Sequence, residues 1–203
     1  MLLDSGCVIC QGNRGPICRG CAGTLVPAAR ASFDGLDACR VRYRLDTRSK
    51  TVVAALKYKR QRRLARWLGS DLAHLVPRGA DVITWLPATP HRRASRGYDH
   101  AEELARALAQ RSGVPARKLL GRDRNDERQT GLSRVQRSTG PTLTVTAGVS
   151  GLVVLVDDVI TTGSSMRVGA ARLRAAGGSR IVGLAVATTP IREHRLGPDP
   201  EWV

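Results

Sequence analysis

The run Val153-Val154-Leu155-Val156-Asp157-Asp158-Val159-Ile160-Thr161-Thr162-Gly163-Ser164-Ser165 changes character twice within a few residues. Its four leading apolar residues read as a strand buried on both faces of a parallel sheet. Two carboxylates follow where that strand emerges at its carboxyl edge, the side on which open α/β sheets bind ligands. A short Thr-Thr-Gly-Ser-Ser run then leads into a predicted helix, so hydroxyls and backbone N–H groups gather at a helix N-terminus. Such an end attracts phosphate, and Gly163, lacking a Cβ, lets the backbone approach the anion closely. Adjacent carboxylates would repel a phosphate but accept from hydroxyls, so Asp157 and Asp158 fit the 2′ and 3′ hydroxyls of a ribose. A phosphate beside a diol describes a ribose 5-phosphate. The plainer reading makes Asp158 a turn residue and Ser164 a helix cap, but a cap needs neither the acidic pair nor the glycine.

Outward from this run the pattern alternates between strand and helix. Residues 166–176 form a predicted helix ended by Gly177-Gly178, and residues 180–187 a further apolar strand. Upstream, residues 81–86 read as a buried strand closed by Pro87, and residues 100–110 as an amphipathic helix with Leu104 and Leu108 on one face. Val53, Leu56, Leu64, Leu68, Leu72 and Leu75 recur at helical spacing from Thr51, with the basic cluster 57–63 as a break between two helices. Residues 142–147 alternate and suit a hairpin arm, while residues 122–141 are polar and arginine-rich and read as a mobile loop. Residues 26–50 read as a connector with an irregular strand around 40–44. Strand–helix–strand order with fully apolar strands predicts an α/β fold whose sheet is mainly parallel and covered on both faces.

The chain has 203 residues, room for one domain and a small appendage. Aromatic residues make up only 3%, so the core rests on Val, Leu, Ile and Ala. No apolar run of about twenty residues exists, which predicts no membrane span, and the first residues lack a signal-peptide pattern; the cytoplasm is the expected location. The formal charge is +16, and between Arg40 and Arg66 the lone acid is Asp46. A surface of this kind attracts phosphates, of a small ligand or of nucleic acid, or is a solvated basic face with no ligand.

Cys7-x₂-Cys10 and Cys18-x₂-Cys21 are two thiolate hooks joined by a short loop. Tetrahedral Zn²⁺ takes four such ligands, and in a cytoplasmic protein disulfides are the poorer reading. With no open coordination position, this zinc is structural or used in docking. Cys39 is left over as a buried or idle thiol. The resulting division is a zinc-binding segment and connector over 1–45, followed by the main domain over 46–203.

The Val153–Ser165 run closely resembles the phosphoribosyl-pyrophosphate motif of type I phosphoribosyltransferases. That resemblance implies a five-stranded, mainly parallel sheet flanked by helices, with a variable hood. It also implies Mg²⁺ bound with phosphoribosyl pyrophosphate, held chiefly by ligand oxygens and water. Ligand contacts carry over to Asp157, Asp158, Val159, Thr161, Thr162, Gly163, Ser164 and Ser165, with the two aspartates as catalytic candidates. It further implies a second anion site after an earlier strand. Here Ala88, Thr89, Arg92, Arg93 and Arg96 follow residues 81–86, and the planar fork of arginine suits a pyrophosphate.

Three further blocks narrow the resemblance to the ComF competence-protein family: Leu56-Lys57-Tyr58, Arg96-Gly97-Tyr98-Asp99-His100-Ala101, and Gln129-Thr130-Gly131-Leu132-Ser133 with Arg137. The family also has an N-terminal four-cysteine zinc site. Tyr98, Asp99 and His100 stand where the family usually has Phe, Asn and Gln, Asp126 where it commonly has Thr, and Gly140 where it has Asn. His100 is either an acid–base group or a surface or capping residue. The resemblance implies a part in uptake of transforming DNA, with single-stranded DNA and a helicase-like protein as partners; an oligomer is left open. Three functions are expected to compete. One is a phosphoribosyltransferase with an acceptor still to be found, its 122–137 loop closing over the site. The second is a non-catalytic sensor of phosphoribosyl pyrophosphate. The third is a single-strand-binding module, against which the scarcity of aromatic residues counts.

Overall fold

A computed structural model describes residues 6–29, 31–58, 61–122 and 142–189. Four parallel strands form the central sheet: β1 (Ala38–Arg44), β2 (Val82–Trp85), β5 (Gly151–Ile160) and β6 (Gly178–Thr188), in the order β1-β6-β5-β2. The expected fifth strand is reduced to one bridge. Residues 115–117 pair with the free edge of β2 only at Ile83, whose N–H donates to the Pro115 carbonyl and whose carbonyl accepts from Arg117 N–H, both at 2.9 Å. A separate antiparallel pair, β3 (Leu120–Arg122) with β4 (Leu143–Val145), is the expected hairpin arm.

Helices cover both faces because β5 and β6 are apolar on both sides. Val154, Val156, Val182, Leu184 and Val186 pack against the helices α2 (Thr47–Tyr58), α3 (Arg62–Leu72) and α5 (His100–Ser112). Val153, Leu155, Ile181 and Ala185 face α6 (Ser164–Ala175) and the β3–β4 arm instead. The sheet is therefore a middle layer, and its alternating side chains fill two separate cores.

Several boundaries move for local reasons. α2 begins four residues before the expected Thr51 because Asp46 and Ser49 cap it reciprocally: Asp46 Oδ1 accepts from Ser49 N–H at 2.9 Å and Ser49 Oγ accepts from Asp46 N–H at 2.8 Å. The break at the basic cluster is as read, with α2 ending at Tyr58 and α3 starting at Arg62. β1 is a full edge strand of the main sheet rather than an irregular piece of connector. The loop read over 122–141 lies, apart from Arg122, outside the described residues, as do Asp126, Gln129 to Ser133, Arg137 and Gly140.

α3 and α5 are the closest-packed helices. A Cβ on Gly69 would sit 2.6 Å from the Ala107 carbonyl carbon and 2.8 Å from its oxygen, and backbone atoms cannot rotate aside. Gly69→Ala gains up to about 1 kcal/mol of helix propensity but overpacks at about 1–3 kcal/mol. The expected net loss is about 1–2 kcal/mol, read as a lower urea midpoint; a stabilised variant would show that these helices do not touch here.

Candidate functional site

β5 does not stop at Val156. It stays paired with β6 through Asp157, Val159 and Ile160, after β2 has ended opposite Val156. Both acids lie on the part of β5 that has outrun β2, and regular alternation breaks there: Val159 packs with the α2–α5 core and Ile160 with the α6 core. Asp157 is half-buried and Asp158 buried, and their carboxyl groups interact directly.

Asp158 is 4% exposed and faces Lys57 and His100. Its Oδ2 has no aligned hydrogen bond, yet Lys57 Nζ stands 2.7 Å away and His100 Nε2 3.4 Å away. Arg96 Nη1 lies 3.2 Å from His100 Nδ1. A guanidinium only donates, so Nδ1 accepts, and the ring proton on Nε2 faces the carboxylate. Burial would raise the pKa of Asp158, but His100 and the Lys57 charge hold it at about 2. Asp157 shifts the opposite way: burial, and then the charge of Asp158, raise it well above the ordinary carboxylate value. The two acids thus differ in environment as well as in direction.

The segment after β2 is a short helix where an arginine loop was expected. α4 (Pro90–Arg96) is capped by Thr89, whose Oγ1 accepts from Arg92 N–H at 3.3 Å, with Pro90 in its first turn. Arg92 and Arg93 are exposed on it. Arg96 is half-buried and lies over the Tyr58 ring, 4.7 Å from its centroid. Gly97 ends α4 at φ 72, and Asp99 then caps α5 by accepting from Ala101 N–H at 3.1 Å. The other oxygen of Asp99 accepts from Ala88 N–H at 2.9 Å. Asp99 therefore joins the β2–α4 turn to α5, and the Ala88 amide, expected at a pyrophosphate, is engaged within the protein.

On the opposite face the turn after β5 runs into α6. Arg167 N–H donates to the Gly163 carbonyl at 2.8 Å, so the amides of Ser164, Ser165 and Met166 precede the first intrahelical bond. Thr162 Oγ1 and Ser164 Oγ share a 2.5 Å hydrogen bond, and both Thr161 and Thr162 are exposed. Gly163 is required for a reason the sequence does not display. Its φ is 74, and a Cβ there would lie 2.3 Å from the ring of Phe33, the chain's single phenylalanine. The arm carrying Phe33 is pinned to α6 by Arg174, which donates to the Gly35 carbonyl at 2.9 Å and to Asp37 Oδ2 at 2.6 Å.

The four N-terminal cysteines come together. Their sulfurs all lie within 4.8 Å of one another, with Cys10 and Cys18 3.8 Å apart. Four sulfurs at about 2.3 Å from a tetrahedral zinc stand about 3.8 Å from each other, so the cluster is compatible with that ion. Burial opposes ionisation of Cys7, yet backbone N–H groups of Cys10, Cys18 and Ile9 bring its pKa down to about 6. Cys39 stays apart, its thiol pushed up to about 12 by burial.

Lys57, Tyr58, Phe33 and Asp99 are the site residues to which the sequence assigns no place here. Lys57, Tyr58 and Asp99 belong to blocks singled out by resemblance, but their contacts depend on which helices meet β5, which local spacing does not encode. Phe33 carries no local signal.

The fold and site define a class: an α/β protein with a parallel sheet, an acid-bearing central strand whose carboxyl end turns into a helix, and an N-terminal four-cysteine cluster. No family profile matches the chain, and no curated protein does. Among solved structures, the glutamine phosphoribosylpyrophosphate amidotransferase from B. subtilis aligns at TM-score 0.42 and 26% identity, over 59% of this chain and 25% of that one. The chain thus spans about a quarter of that enzyme's length. Adenine phosphoribosyltransferase from Leishmania tarentolae aligns at TM-score 0.40 and 12% identity, over 68% and 74% of the two chains. Purine phosphoribosyltransferase from Pyrococcus horikoshii aligns at 0.36 and 16%, over 70% and 96%.

Proposed function

We propose that the chain binds phosphoribosyl pyrophosphate and is a phosphoribosyltransferase-like protein of the ComF kind, working in the cytoplasm. One observation carries this reading: β5 takes Asp157 and Asp158 past the end of β2 and turns through Thr161–Ser165 into α6, so acids able to take a diol adjoin first-turn amides able to take a phosphate. Thr161, Thr162, Gly163, Ser164 and Ser165 would hold the 5-phosphate, with Val159 in the strand leading to them. Asp158 would reach the ribose only by exchanging Lys57 for it. The α4 arginines on the other face, Arg92 and Arg93 foremost, would meet the pyrophosphate, with Thr89 and Ala88 behind them.

In a transfer reaction these arginines would stabilise the leaving pyrophosphate while Asp157 fixes the ring. With no acceptor, the same site is a sensor of the ligand. Among the described residues the four thiols are the only group of three or more candidate metal ligands. Zinc belongs there as a structural ion, and Mg²⁺ would be carried by the pyrophosphate oxygens, which is where it supplies charge neutralisation.

A second reading, contact with single-stranded DNA during uptake alongside a helicase, is favoured by Tyr58. This ring is 69% exposed, with Arg96 stacked on it and the exposed Arg62, Arg63 and Arg66 on the neighbouring helix.

Calorimetric titration with phosphoribosyl pyrophosphate and Mg²⁺ tests the main reading. Wild type is expected to bind saturably, and Asp157→Asn to weaken binding about tenfold, near the worth of one hydrogen bond to the ribose. No heat at about 1 mM ligand, an affinity of only about −4 kcal/mol, refutes it.

A further inference from the structure

The acidic pair is not two equivalent ligands awaiting a cation. Lys57 reaches Asp158 Oδ2 from the last turn of α2, at 2.7 Å, and its side chain is 26% exposed against 5% for Asp158. An ammonium this close already occupies the space in which a divalent ion would bridge this carboxylate to a ligand. The remaining oxygen of Asp158 is engaged as well, accepting from Val159 N–H at 2.9 Å.

Resting on the phosphoribose reading above, we propose that Lys57 is the resident counter-ion of the site, neutralising Asp158 from within so that a phosphorylated ribose binds without a divalent cation at that acid. Lys57 is here a positioning residue. It acts through Asp158, cancelling that carboxylate's charge at the strand end, and a dianionic phosphate then meets less repulsion. His100 assists from the other side with its Nε2 proton, fixed in that tautomer by Arg96. Removing Lys57 leaves a buried carboxylate without its cation, which a metal would then have to supply.

The probe is ribose 5-phosphate, which lacks the pyrophosphate that would bring its own Mg²⁺. Binding to the full chain is titrated calorimetrically in EDTA and again in excess Mg²⁺, for wild type, Lys57→Met and Lys57→Arg. Wild type and Lys57→Arg are expected to bind alike in the two buffers, within about twofold. Lys57→Met should lose about tenfold or more in EDTA and recover part of it with Mg²⁺. Because Lys57→Met is at risk of misfolding, the pair is completed in an Asp158→Asn background, where the lysine has no charge left to balance. There its removal should change affinity by less than about threefold.

Wild type that binds only with Mg²⁺, or a lysine effect of equal size in both backgrounds, overturns the counter-ion role while leaving the phosphoribose reading intact. Wild type that binds neither ribose 5-phosphate nor phosphoribosyl pyrophosphate in either buffer overturns the reading on which it rests.

Discussion

Replacing Cys10 by Ser is expected to strip the chain of one bound zinc and to lower its melting temperature by about 6–12 °C. Cys10 is exposed and its sulfur is 3.8 Å from that of Cys18, so the substitution deletes a ligand with little loss of packing. Structural zinc supplies about 10–16 kcal/mol to small peptides that fold around it. Only part of that reaches the main domain, but the connection is direct. Ile17 and Leu25, on either side of the second cysteine hook, are 6% and 5% exposed and belong to the same core as Leu56, Leu104 and Val154. Losing about 3 kcal/mol through that contact corresponds to the stated shift for a domain of this size. Metal analysis and a melting curve on the same sample check it, with Cys39→Ser as the variant that should keep its zinc. Full metal content in Cys10→Ser would show that the four thiols do not act as one site.

The two aspartates should answer the same change with opposite signs. Asp158→Asn removes a carboxylate held at about 2 by His100 and Lys57, and an expected loss of about 2–3 kcal/mol follows from that depression at neutral pH. Asp157→Asn removes a carboxyl whose ionisation burial and Asp158 both disfavour, so its stability should stay level or rise while ligand binding falls. The pH dependence has a definite sense. An acid depressed in the folded chain contributes fully above its ordinary value of 3.8, and the contribution disappears as pH falls towards about 2. Denaturant midpoints for wild type and Asp158→Asn should therefore converge through that window. A gap that persists at pH 2 would place the origin of the loss in packing instead of charge.

Period and punctuation in the sequence convey most of the architecture. The fully apolar run at residues 152–156 can only be a strand covered twice, and Gly113 and Gly177-Gly178 mark helix ends that the structure keeps. The cysteine hooks are legible for the same reason, since ligand spacing is local chemistry. What escapes is whatever depends on two distant segments meeting. The α2 start was hidden because an Asp-x-x-Ser pair caps as well as the commoner box. The short helix carrying Arg92 and Arg93 looked like a loop because no apolar period accompanies it, although Thr89-Pro90 is a sound start signal. Lys57 beside Asp158 joins residues about a hundred positions apart, and only the docking of α2 on β5 reveals it. The acids' unequal surroundings escape for the same reason: His100 reaches Asp158 from α5, which adjacency along the strand does not encode.

Because the charge of Asp158 acts on Asp157, and Lys57 and His100 act on Asp158, the strand end answers as one electrostatic unit. A mutation in α2 or α5 that disturbs Lys57 or His100 retunes the buried carboxylate and, through it, its neighbour. Descendants of this chain therefore inherit grip on the sugar and balance of charge as a single trait, and drift in one asks for compensation in the other.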